Sequence, residues 1–292
     1  GPLSLLYLGK IKSGIANKLD LLPKVVAGYQ KVLKRLQDAG VEWVQIDEPI
    51  LALELDAAWR DAFEPTYKTL SPAAPKLLLA TYFDQVREHS ALLRSLPVAG
   101  VHLDLVRGAG QLPEFLKDWP QYRVLSAGVV DGRNIWRAEL DSALALLKPL
   151  QATLGDRLWV SASCSLLHVP VDLANENKLD EELKGWLAFA TQKVSEITEL
   201  KSALNGEEKE VDAQFKAAAL AVAARKVSPR IHNPLVQKRL SQIDSISATR
   251  NNVFADRIVK QQARFNLPAF PTTNIGSFPQ TADIRQARAQ YK

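Results

Sequence analysis

Short apolar runs recur along this chain with stretches of helical periodicity between them, and that alternation restricts the fold more than any other feature. The runs are Leu3 to Leu8, Val41 to Ile46, Leu77 to Phe83, Val101 to Val106, Val124 to Val130 and Leu158 to Ala162. Each has the length of a buried strand. The spacer Leu22 to Ala39 carries Val25, Val26, Tyr29, Val32, Leu33 and Leu36 at helical intervals and runs into Gly40, the residue type that ends a helix. Six strands alternating with helices imply a parallel sheet, because parallel neighbours need a long crossover between them.

A closed barrel and an open doubly wound sheet both satisfy this alternation, and the positions of the polar residues separate them. In Val101-His102-Leu103-Asp104-Leu105 the polar side chains alternate with apolar ones, so one face of that strand is polar while the other packs on helices. Asp47-Glu48, Asp104, Asp131 and Cys164 fall at the C-terminal ends of strands, where a barrel assembles its site. No Gly-x-Gly-x-x-Gly follows any strand, which argues against a dinucleotide-binding sheet. The expected fold is therefore an α/β, (β/α)8 TIM-type barrel. It is incomplete, with about six of eight strands present and the other two expected before Gly1.

After Pro170 the pattern changes to long helical segments, Leu179 to Leu204 and Val211 to Ala224, and a last helix around Val253 to Phe265. The stretch Leu267-Pro268-Ala269-Phe270-Pro271 is stiff enough for a domain boundary, and Thr272 to Gln280 reads as the strand and turn that open another domain. The expected organisation is a partial barrel over 1–178, outer helices and a connector over 179–270, and the start of a second barrel over 271–292.

Composition removes several classes of function. With 47% hydrophobic and 24% charged residues the chain can bury a core, so disorder is not its main character. No run approaches the roughly 18 apolar residues of a membrane span, and Gly1 to Lys10 lacks the features of a signal peptide, so a cytoplasmic protein with no membrane partner is expected. The formal charge of +5 comes from Lys and Arg interleaved with Asp and Glu, which argues against nucleic acid. One exception is Ala213 to Ile243, with six Lys or Arg and no Asp or Glu, a solvated helix face or a patch for a polyanion. A single cysteine, Cys164, rules out an internal disulfide and falls short of a structural zinc pattern. The chain opens on Gly1 and contains no methionine, so it is expected to be a piece of a longer protein.

Three segments carry a family resemblance: Trp43-Val44-Gln45-Ile46-Asp47-Glu48-Pro49, Ser163-Cys164-Ser165-Leu166-Leu167-His168, and Pro271-Thr272-Thr273-Asn274-Ile275-Gly276-Ser277-Phe278-Pro279-Gln280-Thr281. Together they resemble the cobalamin-independent methionine synthases, tandem pairs of (β/α)8 barrels, and the likeness runs the length of the chain. The resemblance implies transfer of a methyl group from 5-methyltetrahydrofolate polyglutamate to the sulfur of homocysteine, giving methionine. It implies zinc as the cofactor of the parent enzyme, held by His, Cys, Glu and Cys in the C-terminal catalytic barrel of the same polypeptide. None of those ligands lies in this chain, so no metal and no catalytic residue is expected here.

The resemblance also implies that the first barrel carries a silenced copy of that site. Ala80 and Tyr82 stand at the positions of the first His and Cys, Asp104 at that of the Glu, and Cys164 at that of the last Cys, while Arg133 corresponds to the His that protonates the leaving nitrogen. Coordination to zinc is what deprotonates a thiol whose ordinary pKa is about 8.5. Ile275, Gly276 and Ser277 are the implied contacts to homocysteine; glycine permits close backbone approach and Ser277 offers a hydroxyl.

Read from the residues alone, Asp47-Glu48 is either a general-base pair or a pair of capping carboxylates. Cys164 is a small buried hydrophobe more readily than a nucleophile, and His168 and His232 suit structural hydrogen bonds. Three readings stay open: a part of the zinc methyltransferase, a catalytically silent scaffold or folate-tail-binding half, and a metal-free barrel decarboxylase using Asp47, Asp104 and Arg133.

Overall fold

A computed structural model of the chain describes residues 1–12, 14, 16–117, 119–272 and 280–291. Five strands, β1 (Trp43–Asp47), β2 (Lys76–Ala80), β3 (Gly100–Asp104), β4 (Val124–Val130) and β5 (Leu158–Ala162), form one parallel sheet in the order β1-β2-β3-β4-β5. Consecutive order leaves no point where the winding reverses, so the sheet is not the doubly wound type.

Register assigns the two faces. Gln45 pairs with Leu78, Ala80 with His102, His102 with Ser126, and Ser126 with Trp159. With Trp43, Asp47, Asp104 and Ser161 these residues line one face. Ile46, Leu77, Leu79, Val101, Leu103, Leu125 and Ala127 line the other and build the main core against the helices. Trp43 and Trp159, on the first and last strands, meet with ring centroids 4.6 Å apart. In a flat sheet, strands four places apart stand roughly 19 Å from each other at the usual spacing, beyond the reach of two indoles standing on one face. The sheet therefore rolls up, with the polar face on its concave side.

The helix expected over Leu22 to Ala39 spans Leu22–Asp38, burying Val26 and Leu33, and Gly40 ends it at φ 79°. The run Leu3 to Leu8 was expected as a sixth strand; it is instead the α-helix Pro2–Leu8. Pro2 suits the first turn of a helix, and Leu3 and Leu6 are buried while Leu5 and Leu8 are exposed, a helical rather than alternating pattern. The Glu48 carboxylate accepts from Leu3 N and Ser4 N, satisfying amides that a helix start leaves open. The runs expected to reach Phe83 and Val106 stop at Ala80 and Asp104. Asp104 ends β3 by capping the helix Leu105–Gly108, its side chain accepting from Val106 N and Arg107 N.

The helical stretch expected over Leu179 to Leu204 is broken into Glu181–Trp186 and Ala190–Leu204. Trp186, Leu187, Ala188 and Phe189 are all buried, which no single helix face achieves for four successive residues. The chain extends there and pairs with the segment after β4, Arg137 N donating to Trp186 O and Ala188 N to Ile135 O. The next helix, expected over Val211 to Ala224, spans Glu208–Val227 and packs with Ala190–Leu204 and Leu140–Leu154.

The chain divides into two compact units, Gly1–Ser228 and Pro229–Lys292. The first holds the sheet. The second holds the helices Pro234–Ser241, Phe254–Phe265 and Ala282–Gln290. Among the described residues no helix is long and apolar enough to cross a membrane.

Candidate functional site

The C-terminal ends of the strands carry the polar residues that can meet a ligand. Asp47 closes β1 on the concave face, its carboxylate accepting from Gln45 Nε2 at 2.8 Å and from the Tyr82 hydroxyl at 3.2 Å. Burial and the neighbouring Asp47 charge push the Tyr82 hydroxyl well above the usual tyrosine range. Glu48 is the next residue and points the other way. It is fully buried, accepts from Leu3 N, Ser4 N and, at 3.0 Å, from the Tyr67 hydroxyl. The two carboxylates are thus on opposite sides of β1, and Glu48 acts as a cap.

Asp104 has both oxygens engaged. One accepts from Val106 N and Arg107 N, the other from Phe83 N at 3.1 Å and Arg107 Nη1 at 3.2 Å. Arg107 also bridges to Asp131 at 3.3 Å. Asp131 accepts further from Arg133 N and Asn134 Nδ2, both at 2.8 Å. The Arg133 guanidinium lies 4.5 Å from the Phe83 ring centroid, and that ring also meets Tyr82 and His168. Phe83 holds φ at 81°, a conformation that costs a bulky residue about 1–3 kcal/mol and persists only where its surroundings impose it.

Beneath this rim His102, on β3, joins β4 and the segment just after β5. Ser163 O can only accept, so His102 Nε2 carries the proton toward it at 3.2 Å and Nδ1 accepts from the Ser126 hydroxyl at 2.9 Å. Burial holds its pKa below the ordinary value. Cys164 is buried beside it, burial pushing its thiol up with Asp104 and Asp131 adding to the shift. A Cβ on Gly132 would fall 2.7 Å from the Cys164 carbonyl, so glycine is required where the two loops touch. A cavity of about 260 Å³ opens among Gln45, Tyr82, His102, Ser161, Cys164 and Ser165.

The residues expected to form a silenced metal site sit on the same rim, Ala80 and Asp104 at strand ends, Tyr82 and Cys164 just beyond. As a zinc site this donor set does not fit. Ala80 offers no ligand, Asp104 is saturated by hydrogen bonds, and burial favours the neutral thiol of Cys164. No group of three or more metal-binding side chains converges among the described residues. Ile275, Gly276 and Ser277 lie outside the described residues. His232 hydrogen-bonds Gln237 in the second unit.

Two participants escaped the sequence reading. Arg107 is signalled only by its place three residues after a strand-end aspartate, a spacing that becomes meaningful once Asp104 starts a helix. Phe83 carries no signal at all, since the left-handed region it occupies favours glycine and asparagine.

Fold and site together define a parallel α/β domain whose polar groups gather at the strand C-termini and are largely neutralised by one another. The sequence model for the N-terminal domain of cobalamin-independent synthase matches residues 1–155, and the model for the catalytic domain of the same synthase matches 270–292. The chain belongs to the cobalamin-independent synthase family. Over all 292 residues it is 58% identical to the 5-methyltetrahydropteroyltriglutamate–homocysteine methyltransferase of Burkholderia thailandensis and 57% identical to that of Burkholderia mallei. It spans 38% of the length of each of these relatives. A solved B12-independent methionine synthase from a Shewanella species aligns at 14% identity and TM-score 0.46, over 69% of this chain and 58% of that one.

Proposed function

We propose that this chain is the part of a homocysteine methyltransferase that carries no chemistry of its own. In this reading it supplies much of the N-terminal barrel and the entry into the C-terminal catalytic barrel, its domains dividing as 1–178, 179–270 and 271–292. The parent enzyme moves the methyl group of 5-methyltetrahydropteroyl-polyglutamate to homocysteine in the cytoplasm, with zinc held by residues outside this chain. The observation that carries the reading is 58% identity over all 292 residues to a relative named for that reaction. The rolled, consecutively ordered parallel sheet supports a barrel of eight strands.

The rim chemistry favours the silent role over a metal-free decarboxylase. Asp104 and Asp131 are both engaged by Arg107, and Arg133 rests on Phe83. Of the two carboxylates in the decarboxylase reading, only Asp47 has no Arg or Lys in ion-pair contact among the described residues. Ile275, Gly276 and Ser277 are assigned to homocysteine from the family resemblance.

A chimera tests this directly. The stretch of the Burkholderia thailandensis relative that matches this chain is replaced by this chain, and methionine formation is measured with homocysteine and the triglutamate methyl donor. The chimera is expected to turn over and the 292-residue chain alone to be inactive. Methionine made by the chain alone would sink the silent role. A folded but inactive chimera would sink the activity itself.

A further inference from the structure

Beside the C-terminal end of β4 a second cavity, of about 440 Å³, opens between the segment 131–139 and the helices Leu140–Leu154 and Glu208–Val227. That size is in the range of small-molecule sites. Leu105, Val129 and Leu146 give it an apolar floor, and Arg137, Arg225 and Lys193 reach it from three separate segments. The Arg225 guanidinium stacks 4.4 Å from the Trp136 ring centroid, which fixes its plane at the rim. Lys193 is completely buried and donates to Trp136 O at 3.0 Å, the one protein hydrogen bond its ammonium makes among the described residues.

Two carboxylates, Asp131 and Glu139, line the same cavity, and each is engaged by another cation. Asp131 accepts from Arg107, Arg133 N and Asn134, and Glu139 is bound by Lys226 at 2.7 Å. Glu196 accepts from Ala138 N through one oxygen, while its other oxygen is buried without a partner and burial raises its pKa. Arg225 lies in the field of Glu139, and Arg137 in those of Glu196 and Glu199, yet neither guanidinium has a carboxylate in ion-pair contact among the described residues. A guanidinium with no carboxylate in contact, set beside an apolar floor, is matched by an anion attached to an apolar body.

We propose that this cavity binds a small organic anion, its carboxylate or phosphate group held by Arg137 and Arg225 and its apolar body resting on Leu105, Val129 and Leu146. The site adjoins the strand-end rim at Asp131 and Asn134 and does not depend on the methyl-transfer reading.

Benzoate and inorganic phosphate serve as probes, titrated into the 292-residue chain while the indole N–H resonance of Trp136 is followed, assigned through Trp136→Phe. Benzoate is expected to shift that resonance saturably, and phosphate to bind more weakly because it leaves the apolar floor bare. Arg137→Gln and Arg225→Gln should each weaken benzoate binding about tenfold, the usual scale for losing a charge-assisted pair, with circular dichroism unchanged. The proposal is overturned if neither probe gives a saturable shift in the unaltered chain. It is equally overturned if phosphate binds as tightly as benzoate, or if the two arginine variants bind as the parent does.

Discussion

At the residue scale, Glu48 and His102 show how polar groups in this chain are used for construction. Glu48 accepts three hydrogen bonds in a fully buried position, so its removal strands two helix amides and the Tyr67 hydroxyl. Glu48→Ala is expected to lower stability by about 3 kcal/mol, the scale for breaking a buried charged network, whereas Asp47→Asn on the open face should cost under about 1 kcal/mol. Urea unfolding of both variants checks the contrast; equal losses would mean the two carboxylates share one environment. His102 adds a pH dependence. Its pKa in the folded chain lies below the ordinary 6.5, so the unfolded chain binds the proton more readily. Its contribution to stability is therefore complete above 6.5 and is lost as pH falls below that value. Glu196, whose pKa is raised by burial, works in the opposite sense as pH falls. The comparison that isolates His102 is stability against pH for the parent and for His102→Gln. The variant should show a shallower fall between about pH 6.5 and 5, the acid side of an ordinary histidine.

At the element scale β4 and the loop after β5 depend on close approach of backbone to backbone. A Cβ on Gly128 would sit 2.7 Å from both His102 Cε1 and Ser163 Cα, with the Leu103 carbonyl at 2.9 Å. Two of those contacts are backbone and cannot rotate away. Gly128→Ala is expected to cost about 2–3 kcal/mol, as overpacking of a dense core does, and to lower the Tm by several degrees in a thermal melt. Gly155→Ala meets no atom within 4 Å but sits at φ 56°, so any loss there comes from backbone strain alone. At this scale the sequence was readable wherever period and punctuation agreed, as in Leu22–Asp38 with Gly40 after it. It was misleading where a leucine-rich run was too short for its period to show, as in Leu3 to Leu8, whose helix is capped by a residue more than forty positions away. The break at Leu187 to Phe189 was equally hidden, because its cause is pairing with Ile135 and Trp136 across a long stretch of chain. The rim was partly legible: strand ends placed Asp47, Asp104 and Cys164 together, but which carboxylates Arg107 neutralises is a property of the assembled sheet.

At the scale of the whole sheet, curvature decides what the concave face can be. Five parallel strands in consecutive order can lie open or roll, and the two states differ in whether β1 and β5 see one another. Trp43 and Trp159 report on this, since their edge-to-face contact at 4.6 Å exists only in the rolled sheet. Aromatic pairs in that arrangement couple by about 0.5–1.5 kcal/mol beyond the area they bury. A double-mutant cycle on Trp43→Leu and Trp159→Leu is therefore expected to be non-additive by about 1 kcal/mol, where distant sites add within a few tenths. Leucine keeps each position apolar, so the coupling reads the contact rather than a lost side chain. Strict additivity would mean that the strands diverge and that Gln45, Asp47, His102 and Ser161 no longer share one concave surface. Measured coupling would instead mean that these five strands already set the curvature that a barrel needs, with the edges of β1 and β5 left for further strands to join.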